Sequence, residues 1–125
     1  MILAKVALGG DTTWAIVEGN SLFAVDGDVY GDFGKGALLG PLSDASLMAP
    51  ADPQTIICCG LNYYDTLEQL QIEVPEEPAL FYKPLSALVN PGEDTCTIPA
   101  ISSDPRYEAA LCAVLKRRVW KVTDE

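Results

Sequence analysis

A mainly β, α+β chain is predicted by three features of these 125 residues. Short apolar runs at 1–8, 13–17 and 21–25 are separated by Gly9-Gly10-Asp11 and Glu18-Gly19-Asn20, the punctuation of strands joined by tight turns. The apolar run Thr55-Ile56-Ile57-Cys58-Cys59 ends in Gly60 and opens onto a polar stretch, 63–71, that suits a short helix. A last apolar run at 79–83 follows a loop in which Pro75 and Pro78 deny the backbone a regular ladder.

In chain order, the first three runs predict a three-stranded meander. Glycines at 27, 31, 34, 36 and 40 then mark a loop-rich stretch, and Pro41 to Pro50 reads as an extended approach to a second unit. Pro50 and Pro53 flank Ala51-Asp52, which places the boundary near residues 50–54 and divides the chain into a small β module, 1–52, and a second module, 53–125. There the strand at 55–59 leads into the helix, with Asp65 near its N-terminus favouring the dipole. After the strand at 79–83 comes an irregular segment carrying Pro91-Gly92, and then Thr95-Cys96-Thr97-Ile98. Residues 107–116 are Ala-rich, and propensity alone assigns them to a helix.

Composition narrows the function classes. A hydrophobic content of 49% excludes wholesale disorder, and 125 residues suffice for one domain or a small module plus part of another. No run approaches the roughly 18 apolar residues of a membrane span, and Met1-Ile2-Leu3-Ala4-Lys5 lacks the pattern of a signal peptide, so the expectation is a cytoplasmic protein with no membrane partner. The net charge of −10 is uneven: residues 1–82 hold 2 Lys+Arg against 12 Asp+Glu, and residues 83–125 hold 6 of each. Such a surface repels phosphate backbones, so Lys116-Arg117-Arg118-Val119-Trp120-Lys121 reads as a solvated strand end and nucleic acid is not expected as a partner. Cys58, Cys59, Cys96 and Cys112 have no metal-site spacing and there is no histidine, which leaves the cysteines as small core residues.

Gly60-Leu61-Asn62-Tyr63-Tyr64-Asp65-Thr66-Leu67-Glu68-Gln69, Phe81-Tyr82-Lys83-Pro84-Leu85-Ser86-Ala87-Leu88 and Ile101 to Leu111, in this order and spacing, resemble the fumarylacetoacetate hydrolase family. The resemblance implies a mixed β-roll whose opening part is 53–125, preceded by a β-rich module. It also implies metal-dependent hydrolysis, decarboxylation or isomerisation of 2,4-dioxo acids, with Mg or Mn chelating the 2-oxo acid oxygens and stabilising an enolate. In the family a Glu-x-Glu pair on a strand supplies two ligands and a later aspartate supplies the third. Glu108 matches the first position, Ala110 stands at the second, and the aspartate is expected beyond Glu125. Because residues i and i+2 share a face only on a strand, the resemblance makes the run from Tyr107 a strand. The family's catalytic histidine falls on Thr66 and its carboxylate orienter on Gln69; Asn62, Tyr63, Lys83 and Ser86 match substrate-binding positions.

Two functions follow from that match. One is a dioxo-acid enzyme of the family, of which this chain holds part of the site and which by itself is expected to be inactive, since neither Thr66 nor Gln69 can serve as the base. The other is a non-catalytic relative serving assembly or small-acid binding. A roll lacking its later strands leaves an open edge, so a homo- or hetero-oligomer is expected.

Overall fold

The computed structural model describes residues 1–92 and 97–123. Strands β1 (Ile2–Leu8) and β2 (Asp11–Glu18) pair antiparallel with Leu8 opposite Asp11, so Gly9 and Gly10 alone make the turn. Their φ values of 62° and 94° are those of a two-residue turn that matches the twist of the flanking strands and that only glycine adopts freely. Gly19 (φ 59°) and Asn20 join β2 to β3 (Ser21–Gly27) in the same economical way.

The meander is larger than the sequence predicts. The glycine-rich stretch forms a fourth strand, β4 (Phe33–Pro41), and Ser46–Leu47 forms a short β5 against β1, giving one antiparallel sheet in the order β4-β3-β2-β1-β5. Glycine in β4 serves irregular pairing: the register between β3 and β4 slips twice, between Leu22 and Phe23 and between Phe23 and Val25. A Cβ on Gly36 would lie 3.2 Å from the Ala24 carbonyl oxygen. In the β3–β4 loop the Tyr30 N–H donates to the Asp28 carboxylate at 2.9 Å, and the Gly31 N–H donates to the Asp28 carbonyl at 2.8 Å.

Alternation then decides the packing. Val6, Ala15 and Leu22 share one face, are fully buried, and are covered by Leu39, Leu42 and Ala45. On the other face Ile16 is buried, Trp14 meets Tyr30 edge-on with ring centroids 6.4 Å apart, and Lys35 lies 4.5 Å over the Phe23 ring while pairing with Glu18 at 3.0 Å.

The chain divides into two compact units, Met1–Ala51 with Asn90–Glu125, and Asp52–Val89. The second unit contains β6 (Ile56–Gly60), α1 (Tyr64–Leu70) and β7 (Ala79–Lys83), with β6 and β7 antiparallel from Ile56 opposite Lys83 to Gly60 opposite Ala79. α1 ends where Gln71 turns left-handed (φ 55°), and the Ile72 N–H reaches back to the Leu67 carbonyl at 3.0 Å, a capping arrangement usually built on glycine.

Two expectations are corrected, and a third passage of the chain lies partly outside the described residues. The run from Tyr107 is neither strand nor helix: residues 103–115 carry no regular element, because a strand exists only where a neighbour accepts its hydrogen bonds and no described strand does so. Cys58, Cys59 and Cys112 are not core residues: Cys58 is half-buried and Cys59 exposed along a strand that alternates between the two, and Cys112 is exposed in the irregular run. Of the segment 95–98, Thr95 and Cys96 lie outside the described residues, as does the reading of Cys96 as a core residue, and Thr97-Ile98 is irregular.

Candidate functional site

β6 brings the chain to Gly60, and Leu61 then takes a left-handed backbone (φ 54°), uncommon for a residue with a branched side chain. That residue reverses the path so that Asn62 and Tyr63 enter α1. Held-in strain of this kind recurs where loops present functional groups, and nothing in the residue type announced it. The Tyr63 carbonyl accepts from the N–H groups of Thr66 (3.1 Å) and Leu67 (3.2 Å), which closes the first turn without a side-chain cap. Leu67 anchors the helix from beneath, at 5% exposure.

Thr66 and Gln69, three residues apart, therefore stand on one exposed stripe of α1. Glu68 is rotated by roughly 100° from Gln69 about the helix axis. The stripe carries a hydroxyl and an amide, neither of which removes a proton from water near neutral pH.

Beside the helix, a concavity of about 290 Å³ forms where Val74 to Ala79 returns past the end of β6. Asn62, Tyr64 and Leu67 line one side of it and Glu76 and Glu77 the other. With those two carboxylates at its wall, it favours a cation over a free dicarboxylate.

The remaining substrate-binding positions lie elsewhere in this unit. Lys83 is opposite Ile56, at the other end of the ladder from Gly60; over four residues that separation is roughly 13 Å. Ser86 follows in a 3₁₀ turn, Leu85–Ala87. Lys83 and Ser86 thus form one exposed group and Asn62 and Tyr63 another, and the fold does not bring the two together.

Glu108 is exposed in the irregular run of the other unit, with Ala110 two residues on. Among the described residues no three His, Cys, Asp or Glu side chains converge as a metal cage would require. Mg and Mn want several converging oxygens, and one exposed carboxylate with alanine at the paired position does not fit that need.

The second unit is thus a strand that ends at Gly60, a turn at Leu61 that presents Asn62 and Tyr63, a short helix, and an antiparallel strand running into Phe81-Tyr82-Lys83-Pro84. The fumarylacetoacetate hydrolase C-terminal family model matches residues 55–125, and the chain belongs to that family. The family is generally metal-dependent. An uncharacterized protein of Archaeoglobus fulgidus is 41% identical over 101 residues, covering 80% of this chain and 38% of its own length. A mitochondrial oxaloacetate tautomerase of Xenopus laevis is 37% identical over 84 residues, 66% of this chain and 26% of that protein. The solved structure of an uncharacterized protein from Mycobacterium abscessus superposes with a TM-score of 0.53 at 25% identity, over 68% of this chain and 34% of the other. The chain thus spans well under half the length of these relatives. No helix among the described residues is long and apolar enough to cross a membrane.

Proposed function

We propose that this chain is a fumarylacetoacetate hydrolase family module for 2-oxo and 2,4-dioxo acid chemistry that does not turn such acids over by itself. The observation that carries the reading is the stripe of α1: Thr66 and Gln69 occupy one face, side by side, where the family's base and its orienting carboxylate are expected. Loss of a base and of the group that orients it removes about 10²-fold or more each. Of the family's two paired ligand positions only Glu108 keeps a carboxylate, with Ala110 at the other, and a single carboxylate is a poor start for holding an enolate-stabilising ion. The tautomerase named among the relatives makes enol–keto exchange of oxaloacetate the reaction to assay first.

The test follows enol oxaloacetate and acetylpyruvate by ultraviolet absorbance with the purified 125-residue chain, with Mg or Mn present. The expected result is loss of both at the buffer rate, with no metal dependence. Metal-dependent turnover that Glu108→Ala abolishes would overturn the reading.

A second reading is favoured by one observation. The run 107–120 is apolar, basic at its end and uncovered, which suits a chain that assembles with others.

A further inference from the structure

One side chain ties the place where the chain leaves the first unit to the place where it returns. β5 is the last strand of the five-stranded sheet and pairs with β1 through Ser46 and Leu47; the Met48 N–H continues that ladder by donating to the Lys5 carbonyl at 2.8 Å. Successive N–H groups of an extended chain point to opposite sides, so the N–H of Ala49 points away from β1, toward the outer edge of the sheet. There the Asn90 side-chain oxygen accepts it at 3.0 Å, across 41 positions of sequence. Both residues belong to the first unit, and everything between Ala51 and Asn90 belongs to the second.

Asparagine suits this place. Its side chain is short and carries a carbonyl acceptor, and although such side chains commonly bond the backbone beside them, Pro91 has no N–H to offer. Proline at 91 also disfavours a helical backbone at Asn90, which keeps the return extended. Ala49 and Asn90 are both half-buried and the bond is already made, so the contact calls for no open surface.

We infer that Asn90 is a clasp at the root of unit 52–89, a device that holds the two crossings beside each other and so supports the near end of the β6–β7 ladder. The rung nearest the root, Ile56 opposite Lys83, lies seven residues beyond Ala49 and seven before Asn90. Pro50 and Pro53 stiffen one connection, and Pro84 and Pro91 the other. Fixing the connections at their base removes part of the entropy of bringing Ile56 to Lys83. A two-stranded ladder is marginal by itself, so support at its root counts. The clasp acts whether or not the chain turns over a dioxo acid.

Amide exchange followed by NMR on the 125-residue chain tests the clasp, with Asn90→Ala removing the acceptor and Asn90→Asp keeping an oxygen in its place. Asn90→Ala should speed exchange of the Ala49 N–H about three- to tenfold, and should speed it at Ile56, Ile57, Tyr82 and Lys83 more than at Cys59, Gly60, Ala79 and Leu80. Asn90→Asp should stay within about twofold of wild type at all of these positions. The urea transition seen by Trp14 fluorescence should survive in both variants, because the buried cluster of Val6, Ala15 and Leu22 is untouched. Unchanged exchange at Ala49, fraying spread evenly along the ladder, no rescue by Asn90→Asp, or loss of the Trp14 transition in Asn90→Ala would each overturn the inference.

Discussion

The sheet β1–β5 and the ladder β6–β7 are both antiparallel, and the ladder strands are the richer in apolar residues, yet it is the sheet that builds a core. In the sheet, alternation places Val6, Ala15 and Leu22 on one face, Leu39, Leu42 and Ala45 close over them, and the other face is shielded by Ile16 and by Lys35 spanning Glu18 and Phe23. In the ladder, β6 and β7 have one strand neighbour each, and Leu67 of α1 is the single buried hydrophobic residue of that unit among those described. Two-stranded ribbons are marginal in water because each strand leaves an edge open and a face uncovered. The lesson is that apolar content does not make a core; the number of neighbours each strand finds does.

That comparison can be broken most directly at its centre. Leu22→Ala should cost about 2–5 kcal/mol, since Leu22 is fully buried and its cavity cannot collapse between paired strands. Urea unfolding followed by Trp14 fluorescence reports it. Leu67→Ala should leave that transition in place and instead speed amide exchange in 56–60 and 79–83. If Leu67→Ala moved the Trp14 transition as far as Leu22→Ala does, the contrast between the two regions would fail.

Gly27 sharpens the comparison from the sheet side. Its φ is 115°, and an added Cβ would sit 2.4 Å from the Asp32 carbonyl oxygen, a backbone atom with little freedom to move. Gly27→Ala should therefore destabilise the sheet by about 1–3 kcal/mol, measured as a fall in the same urea midpoint, whereas Gly34→Ala, whose added Cβ meets nothing within 4 Å, should change it far less.

The smallest effect belongs to the ladder unit and has the opposite sign. Gln71 caps α1 in the left-handed region, which glycine enters without the Cβ penalty, so Gln71→Gly should stabilise the helix end by about 0.5–1 kcal/mol. Slower amide exchange at Gln69 and Leu70 checks this. No change there would mean that tertiary contacts, rather than local geometry, hold the turn.

The features legible in the residues alone are local ones. Gly9-Gly10 and Gly19-Asn20 prescribe their turns, the alternation of 1–8, 13–17 and 21–25 prescribes a face, and the apolar run to Cys59 followed by a polar stretch prescribes the strand-then-helix order that carries Asn62, Tyr63, Thr66 and Gln69, although the turn itself is made by the left-handed Leu61. The motif order was enough to recognise the family. Tertiary structure decided everything that depends on a distant neighbour. Gly34, Gly36 and Gly40 read as loop until β3 supplies a partner whose register requires bulges there, and only then is β4 a strand. Ala109 to Leu115 reads as helix by propensity and as strand by resemblance, but no described neighbour is present, and it is neither. Likewise Lys83 and Asn62 look like members of one site in a linear motif, and the antiparallel register sets them at opposite ends of the ladder. The physical reason is the same in each case: turn geometry and side-chain alternation are properties of a few consecutive residues, whereas pairing, burial and convergence are properties of segments that the chain brings together only by folding.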